Sequence, residues 1–562
     1  MKTYSVIEFD DIKDMLEVRA VSHKDNIAFY QKGKNKQFNT ITYGELKRDV
    51  DALGTALLDM GLKGKKIAII GKNRYEWAIS YLATICGVGV VVPLDKQLAD
   101  NEIKNCLDRV DVDAIIYSDE FDERLKELSS KINVKNYISM DEGNLTVSGL
   151  IARGKKLIEE GNTDYINAPI DNNALASLLF TSGTTSASKI VMLSHKNIMA
   201  NIKAGQMMVH VDEKDTFFSV LPLNHTLECT CVLIFPLASG AAIAYNDNIM
   251  NLQRDLKVIK PTTMMVVPRI AETLYDKIVT GIEKKNKVSK VKLAVKLTNM
   301  LGKYKMSVKR KVFKEIHDEF GGNLKLIMMG GAPINPNISA YFRDLGILAI
   351  QGYGLTECAP LVTLNSDTLY KDDSAGLSMP GSEVLISNPD EEGIGEIIVK
   401  GPQVMLGYYG DEQATNEAIK DGYLHTGDLG KFDDEGFLRI MGRSKNVIIS
   451  SSGKNIYPEE IESLINEHDK IKGSMVYEEE NKHHGHLIAE VVLIDEIREK
   501  IKAHPEYESE IKKTLTDYLA LVNDRLSEYK RVHNLVIREN DFDMTSTLKI
   551  KRFLTRPQVQ KQ

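Results

Sequence analysis

Apolar positions recur at helical spacing from Tyr43 to Met60 and again over Glu76 to Cys86, and between them the residues KIAII, Lys66 to Ile70, form an almost unbroken apolar run. A period near 3.6 lays one face of a helix on a core, whereas a short continuous run suits a strand buried on both faces. The pattern therefore predicts helices over Tyr43–Met60 and Glu76–Cys86, with strands at Lys66–Ile70, along VGVVVPL and at Ala114–Tyr117. Alternation of this kind continues through the first two thirds of the chain and predicts parallel sheets covered by helices. No repeat period is visible.

The strand-and-turn sequence FDDEGFLRIMGRSKN closes that region and suggests a boundary near Arg443 to Lys445, dividing the chain into residues 1–443 and 444–562. Two or more domains are expected, because a single core stops growing near roughly 250 to 300 residues and this chain has 562. The later part has its own strand patterns, GSMVYEEE and HLIAEVVLI, and a polar final loop, DFDMTSTLKIKR. Its size is that of a small mobile domain.

Charge changes the picture in one place. Between Lys284 and Lys314 stand 12 Lys or Arg and no Asp or Glu. A solvated helical face accounts for such a run; contact with anionic lipid is the other reading. The whole chain has a net charge of -7, which argues against nucleic acid as a partner. The five cysteines, Cys86, Cys106, Cys229, Cys231 and Cys358, show no CxxC spacing, so a reducing compartment is expected. The start, MKTYSVIEFDDIKDM, lacks the apolar run of a secretory signal. The most apolar later stretches, Thr84 to Leu94 and Cys231 to Tyr245, fall short of the roughly 20 residues that span a bilayer. A cytoplasmic protein is expected, with peripheral attachment to a membrane left open.

Candidate chemistry begins at LLFTSGTTSASKIVMLSHKNI, Leu178 to Ile198, where an apolar strand runs into the loop Thr181 to Lys189. Small residues let backbone amides approach an anion, hydroxyls add donors and Lys189 adds a fixed charge, which suits a polyphosphate; a Ser/Thr-rich surface connection is the alternative. The loop is not a Walker A motif, because Ser188 stands where that motif needs a second Gly before the Lys. Tyr353, between Gly352 and Gly354 in QGYGLTE, has room to lay its ring on a flat base; an ordinary core tyrosine is the alternative. Glu357 is a hard oxygen ligand of the kind Mg²⁺ takes, and a glutamate so placed equally suits pairing with a nearby Lys. Asp428 in HTGD is a short acceptor suited to ribose hydroxyls, and it equally suits a turn.

Taken in order, LLFTSGTTSASK, MMGGAPI, QGYGLTE, GEIIVKGPQVMLGYY, GYLHTGDLG, GRSKNVIISSSGKNIYPEEIE and TSTLKIKR resemble the motifs of the adenylate-forming superfamily of acyl-CoA synthetases, luciferases and peptide-synthetase adenylation domains, from about Thr42 to Arg552. The resemblance implies an α/β fold with a large N-terminal domain of helix-covered sheets, a β-barrel-like subdomain and a small mobile α+β C-terminal domain. It implies ATP or AMP contacts from Thr181, Ser182, Gly183, Thr184, Thr185, Lys189, Gly331, Ala332, Pro333, Gln351, Gly352, Tyr353, Gly354, Thr356, Asp428 and Arg443. It also implies a magnesium site at Glu357 and Thr184, and catalytic parts for Lys549, Thr184, Lys189 and His225. Lys549 would stabilise the charge that builds when a carboxylate attacks the α-phosphate. Lys445 stands at the family's hinge; rotation there would withdraw Lys549 and bring Ser452, Gly453 and Lys454 towards the adenylate for thiol attack.

Among branches of that superfamily, PTTMMVVPRIAETLYDKI, LPLNHTLE and HTGD resemble the long-chain fatty acyl-CoA synthetases, and the basic insertion does so too. His225, Gly331 and Gly354 would then line the acid pocket. No Asp occurs in Leu221 to Gly240, where amino-acid adenylation domains usually carry one, so an uncharged acyl tail is expected. Coenzyme A is the expected thiol; an acyl carrier protein is the alternative acceptor. The phosphate loop departs from the family's TSGTTGxPKG at Ser186, Ser188 and Ile190. That departure leaves a non-catalytic nucleotide- or lipid-binding member as a reading from another class. Tyr423 replaces a usual Trp, and Leu548 a usual Gly.

Overall fold

The computed structural model describes residues 3–33, 37–181, 188–246, 248–300, 306–449, 454–479, 486–544 and 550–552. The expected alternation resolves into two large sheets. In a seven-stranded sheet the spatial order is Gly407–Tyr408, Ile190–Ser194, Leu175–Phe180, Val90–Leu94, Lys66–Ile70, Ala114–Tyr117 and Asn136–Ser139. The last five strands run parallel, and the first three are joined by antiparallel pairs. A nine-stranded sheet holds Thr216–Ser219, Ala242–Tyr245, Thr263–Val266, Leu326–Met329 and Leu348–Gly354 in parallel register, with Leu361–Leu364 and Leu377–Ser378 antiparallel at one edge.

The helix Tyr43–Asp59 starts where its sequence dictates. Thr42 accepts from the Glu45 amide while the Glu45 carboxylate accepts from Thr42, which satisfies two of the amides a helix start leaves open. This helix packs tightly on Val147–Glu159, because Gly154 lies against the Ala52 backbone: a Cβ there would stand 1.7 Å from the Ala52 carbonyl oxygen. The second predicted helix runs from Tyr75 to Ala83 and then loosens into a wide turn, Thr84–Val88. Gly87, at φ +147°, permits that unwinding, which helical periodicity alone does not report.

Two smaller units follow. A five-stranded antiparallel sheet gathers Glu383–Ser387, Gly395–Lys400, Ile419–Lys420, Tyr423–Phe432 and Leu438–Arg443. The C-terminal part builds a three-stranded sheet, Ile471–Glu478, Leu487–Leu493 and Val532–Arg538, against the helices Pro458–Ile465 and Tyr507–Asp524, and it has its own apolar core. Among the described residues no helix is long and apolar enough to cross a membrane. All five cysteines are buried and unbridged.

Candidate active site

The loop expected to cradle phosphate is a hairpin connection between Leu175–Phe180 and Ile190–Ser194. Thr181 closes its base: its amide donates to the Lys189 carbonyl at 3.0 Å and its hydroxyl to the same oxygen at 3.2 Å. Ser182, Gly183, Thr184, Thr185 and Ser186 lie outside the described residues. At the far foot of the loop, Lys189 Nζ stands 4.3 Å from the centroid of the Tyr408 ring. Tyr408 reaches that position because Gly407–Tyr408 adds a short strand beside Ile190–Ser194. Its phenol donates to Glu357 Oε1 at 2.9 Å. Glu357 sits in the helical turn Thr356–Cys358, whose backbone is tied down by the Met405 amide donating to the Glu357 carbonyl at 2.8 Å.

Tyr353 is positioned by its neighbours. A Cβ on Gly352 would lie 2.9 Å from the Thr363 carbonyl, and one on Gly354 would lie 2.1 Å from the Pro360 carbonyl. Glycine at both places lets Leu348–Gly354 press against its antiparallel neighbour, and the tyrosine between them bridges to the five-stranded sheet. There its phenol donates to Asp428 Oδ2 at 2.7 Å. Arg443 pairs with Asp428 across adjacent strands and holds Oδ1 at 2.7 Å from its Nε. The carboxylate is 6% exposed, so phenol and guanidinium together satisfy an otherwise isolated buried charge. Burial, then Asp428, pushes the Tyr353 phenol well above its ordinary value, which keeps it a donor. Burial and Glu357 do the same to the Tyr408 phenol, and Arg443 opposes them. One neighbourhood thus holds Lys189, Glu357, Tyr353, Asp428 and Arg443.

Other expected residues fall nearby or elsewhere. Gln351 spends its side-chain amide on the Asp372 carbonyl. Gly331, Ala332 and Pro333 form an exposed bend after the strand Leu326–Met329, and Gly331, at φ +90°, needs the freedom of glycine. His225 stands at the start of the short helix Thr226–Glu228, with Nε2 3.6 Å from Asp95 Oδ2. Lys445 is exposed in the turn Ser444–Asn446. Next to it, the Asn446 side-chain amide donates to Glu459 Oε1 at 2.6 Å. Arg552, of the last motif, pairs with Glu462 and stands 3.5 Å from Glu459, so tail and turn meet on the helix Pro458–Ile465. Lys454 Nζ lies 4.9 Å from the Tyr529 ring centroid. Lys549, Ser452 and Gly453 lie outside the described residues.

A family model described as AMP-binding enzyme matches residues 16–409. The chain belongs to the AMP-binding enzyme family. Among curated proteins, this AMP-binding enzyme is 28% identical to long-chain-fatty-acid–CoA ligase 6 of Mus musculus, over 99% of this chain and 86% of that one. It is 30% identical to the long-chain-fatty-acid–CoA ligase ACSBG2 of Rattus norvegicus, over 77% and 70% of the two chains. Among solved structures, the anthranilate CoA ligase AuaEII in complex with anthranoyl-AMP matches with a TM-score of 0.77 at 18% identity, covering 98% of this chain and 97% of that one. That likeness establishes the fold that the motif order implies.

Two features of this AMP-binding enzyme escaped the sequence reading. Tyr408 lies in a recognised motif, GEIIVKGPQVMLGYY, yet nothing local shows that it links Lys189 to Glu357. Glu228, in LPLNHTLE, is fully buried, takes the Ser219 hydroxyl, and has its carboxyl pushed up to about 8 by burial. In the unfolded chain the same group ionises near 4.5. Across that interval the unfolded state releases a proton that the fold retains, so this group's contribution to stability falls by ~1.4 kcal/mol per pH unit as pH rises. Glu228→Gln removes that slope. Urea unfolding across the window will show a flatter pH profile for the variant; parallel profiles would mean that Glu228 is ionised in the native protein.

Proposed function

We propose that this chain activates a medium- or long-chain fatty acid with ATP, forming acyl-adenylate and pyrophosphate, and then passes the acyl group to coenzyme A, leaving AMP. The observation that carries the reading is the convergence of a loop lysine, a carboxylate and the Tyr353–Asp428–Arg443 chain at one place. The curated relatives, named as long-chain-fatty-acid–CoA ligases, support the substrate class.

In this reading Thr181, Ser182, Gly183, Thr184, Thr185 and Lys189 hold the phosphates, joined by Thr356. Tyr353 offers its ring to adenine, with Gly331, Ala332, Pro333 and Gln351 around it, and Asp428 and Arg443 hold the ribose. Glu357 fits magnesium, since one oxygen is fixed by a phenol and the group is a hard donor. When bound, the ion neutralises phosphate charge. His225, Gly331 and Gly354 line the acid pocket. Residues 444–562 form a domain that turns at Lys445, presenting Lys549 for adenylation and then Ser452, Gly453 and Lys454 for thiol transfer. A cytoplasmic location accords with five buried, unbridged cysteines.

Exchange of labelled pyrophosphate into ATP that depends on added fatty acid tests the first step. Thioester yield over a panel of chain lengths, with free coenzyme A and with holo carrier protein, tests the rest. Preference for acetate or aryl acids removes the fatty-acid assignment, and yield only with carrier protein moves the acceptor. Absence of exchange leaves a non-catalytic binding protein.

We place a peripheral membrane contact on the basic segment. The helix Val288–Met300 has two apolar faces: Val291, Ala294 and Val295 pack inward, while Leu293, Leu297 and Met300 are 58%, 55% and 77% exposed. Lys290, Lys292 and Lys296 flank the outer stripe, a composition suited to an anionic interface. Each lysine near such a surface contributes about 1 kcal/mol. Lys292→Glu combined with Lys296→Glu will lower co-sedimentation with phosphatidylglycerol/phosphatidylcholine vesicles by roughly tenfold or more, and added salt will weaken wild-type binding. Equal sedimentation of the two proteins would leave this helix a solvated face.

A further inference from the structure

We infer that Tyr408 is a positioning residue that holds Lys189 and Glu357 apart, so that neither charge neutralises the other before a magnesium-bound triphosphate arrives. The inference rests on the proposed roles of Lys189 towards phosphate and Glu357 towards magnesium.

A lysine and a glutamate meet the same aromatic side chain from different directions. Lys189 lies over the ring at 4.3 Å from its centroid, and Glu357 takes the phenol proton at 2.9 Å from the oxygen. Among the described residues these two opposite charges form no ion pair with each other, although both touch the Tyr408 side chain. Magnitudes show why the ring matters. Lys189 is exposed, so a direct pair with Glu357 would be screened by solvent and would gain little. An exposed lysine on an aromatic face gains a similarly small amount, and the phenol's hydrogen bond to Glu357 adds to what holds the arrangement. Collapse of lysine onto carboxylate is therefore competitive, and it is prevented only if the ring stays in place.

The backbone around Tyr408 supplies that rigidity. Gly407 and Tyr408 pair with Met192 and Val191, and the Tyr408 amide donates to Thr415 Oγ1 at 2.8 Å. Gly407 sits at φ +140° with the Thr415 side chain 2.8 Å from where a Cβ would stand, so only glycine fits before the tyrosine. Tyr408 is thus fixed in both strand and turn. Its phenol occupies Oε1 of Glu357 and orients the carboxylate, as partners of metal-binding carboxylates commonly do.

Two substitutions separate the two contacts. Tyr408→Phe keeps the ring under Lys189 and removes the donor to Glu357; Tyr408→Leu removes both. Equilibrium dialysis of ATP is followed with chelator and across a magnesium titration, with circular dichroism confirming native folding. For Tyr408→Phe, ATP binding in chelator should stay within about twofold of wild type, while the magnesium midpoint rises roughly tenfold or more. For Tyr408→Leu, binding in chelator should also fall, because Lys189 drops onto Glu357. Adding Glu357→Gln to Tyr408→Leu should restore that binding, an outcome that general loosening of the fold would not produce. An unchanged or lower magnesium midpoint in Tyr408→Phe, or no restoration in the double variant, overturns the inference. Failure of the wild type itself to bind magnesium-ATP would instead overturn the proposed function.

Discussion

Lys549→Ala will lower fatty-acid-dependent pyrophosphate exchange by roughly 10²- to 10³-fold, the range seen when one preorganised charge-stabilising donor is removed. The carboxylate and the α-phosphate are both anionic, so bringing them together costs Coulomb energy that Lys189 and a bound magnesium ion, directed at the phosphates, offset only in part. The prediction is selective. Thioester formation from synthetic acyl-adenylate and coenzyme A should remain close to wild type, because in that step the sulfur attacks an uncharged carbonyl carbon and AMP leaves. Measuring both half-reactions separates a catalytic lysine from a structural one: an equal loss in both would place Lys549 in folding or hinge motion. Arg552 is held by Glu462 and Glu459. The end of this motif is therefore anchored to the helix Pro458–Ile465, next to the turn that carries Lys445.

Asp428→Ala is expected to raise KM for ATP by about 10²-fold with a smaller change in kcat. Two effects add. The variant loses the acceptor proposed for the ribose hydroxyls, and it leaves the Tyr353 phenol and the Arg443 guanidinium without their shared partner. A buried donor left unsatisfied costs about 1 to 3 kcal/mol, so Tyr353 will no longer be held in one orientation for the base it is proposed to meet. Steady-state kinetics in ATP at saturating fatty acid checks this. Asp428→Asn, which keeps the size and one acceptor oxygen, should lie between wild type and Ala. A KM unchanged by both substitutions would place the nucleotide elsewhere.

Much of the frame was legible from the chain. The strands Lys66–Ile70 and Ala114–Tyr117 occur where continuous apolar runs put them, because a strand covered on both faces has no reason to alternate. Tyr43–Asp59 begins at Thr42 because a Thr with Glu three residues later makes a local cap that needs no distant partner. The glycines around Tyr353 were also visible, but their reason was not: they admit the backbone of Leu361–Leu364, which is set by pairing across the sheet. Helix Tyr75–Ala83 ended earlier than its apolar spacing suggested, since that periodicity does not register the backbone freedom of Gly87. Glu228 read as part of a motif, and only burial under the neighbouring strand end reveals a carboxyl that holds its proton.

By itself the sequence determined the element types, the order of the motifs and the family, because capping, periodicity and short motif spacing depend on residues within a few positions of one another. Tertiary structure alone decided that Lys189 and Tyr408 from the seven-stranded sheet, Tyr353 and Glu357 from the end of the nine-stranded sheet, and Asp428 and Arg443 from the five-stranded sheet share one neighbourhood. Those contacts join residues up to hundreds of positions apart, and their geometry follows from how three sheets pack together, a quantity that no local pattern encodes.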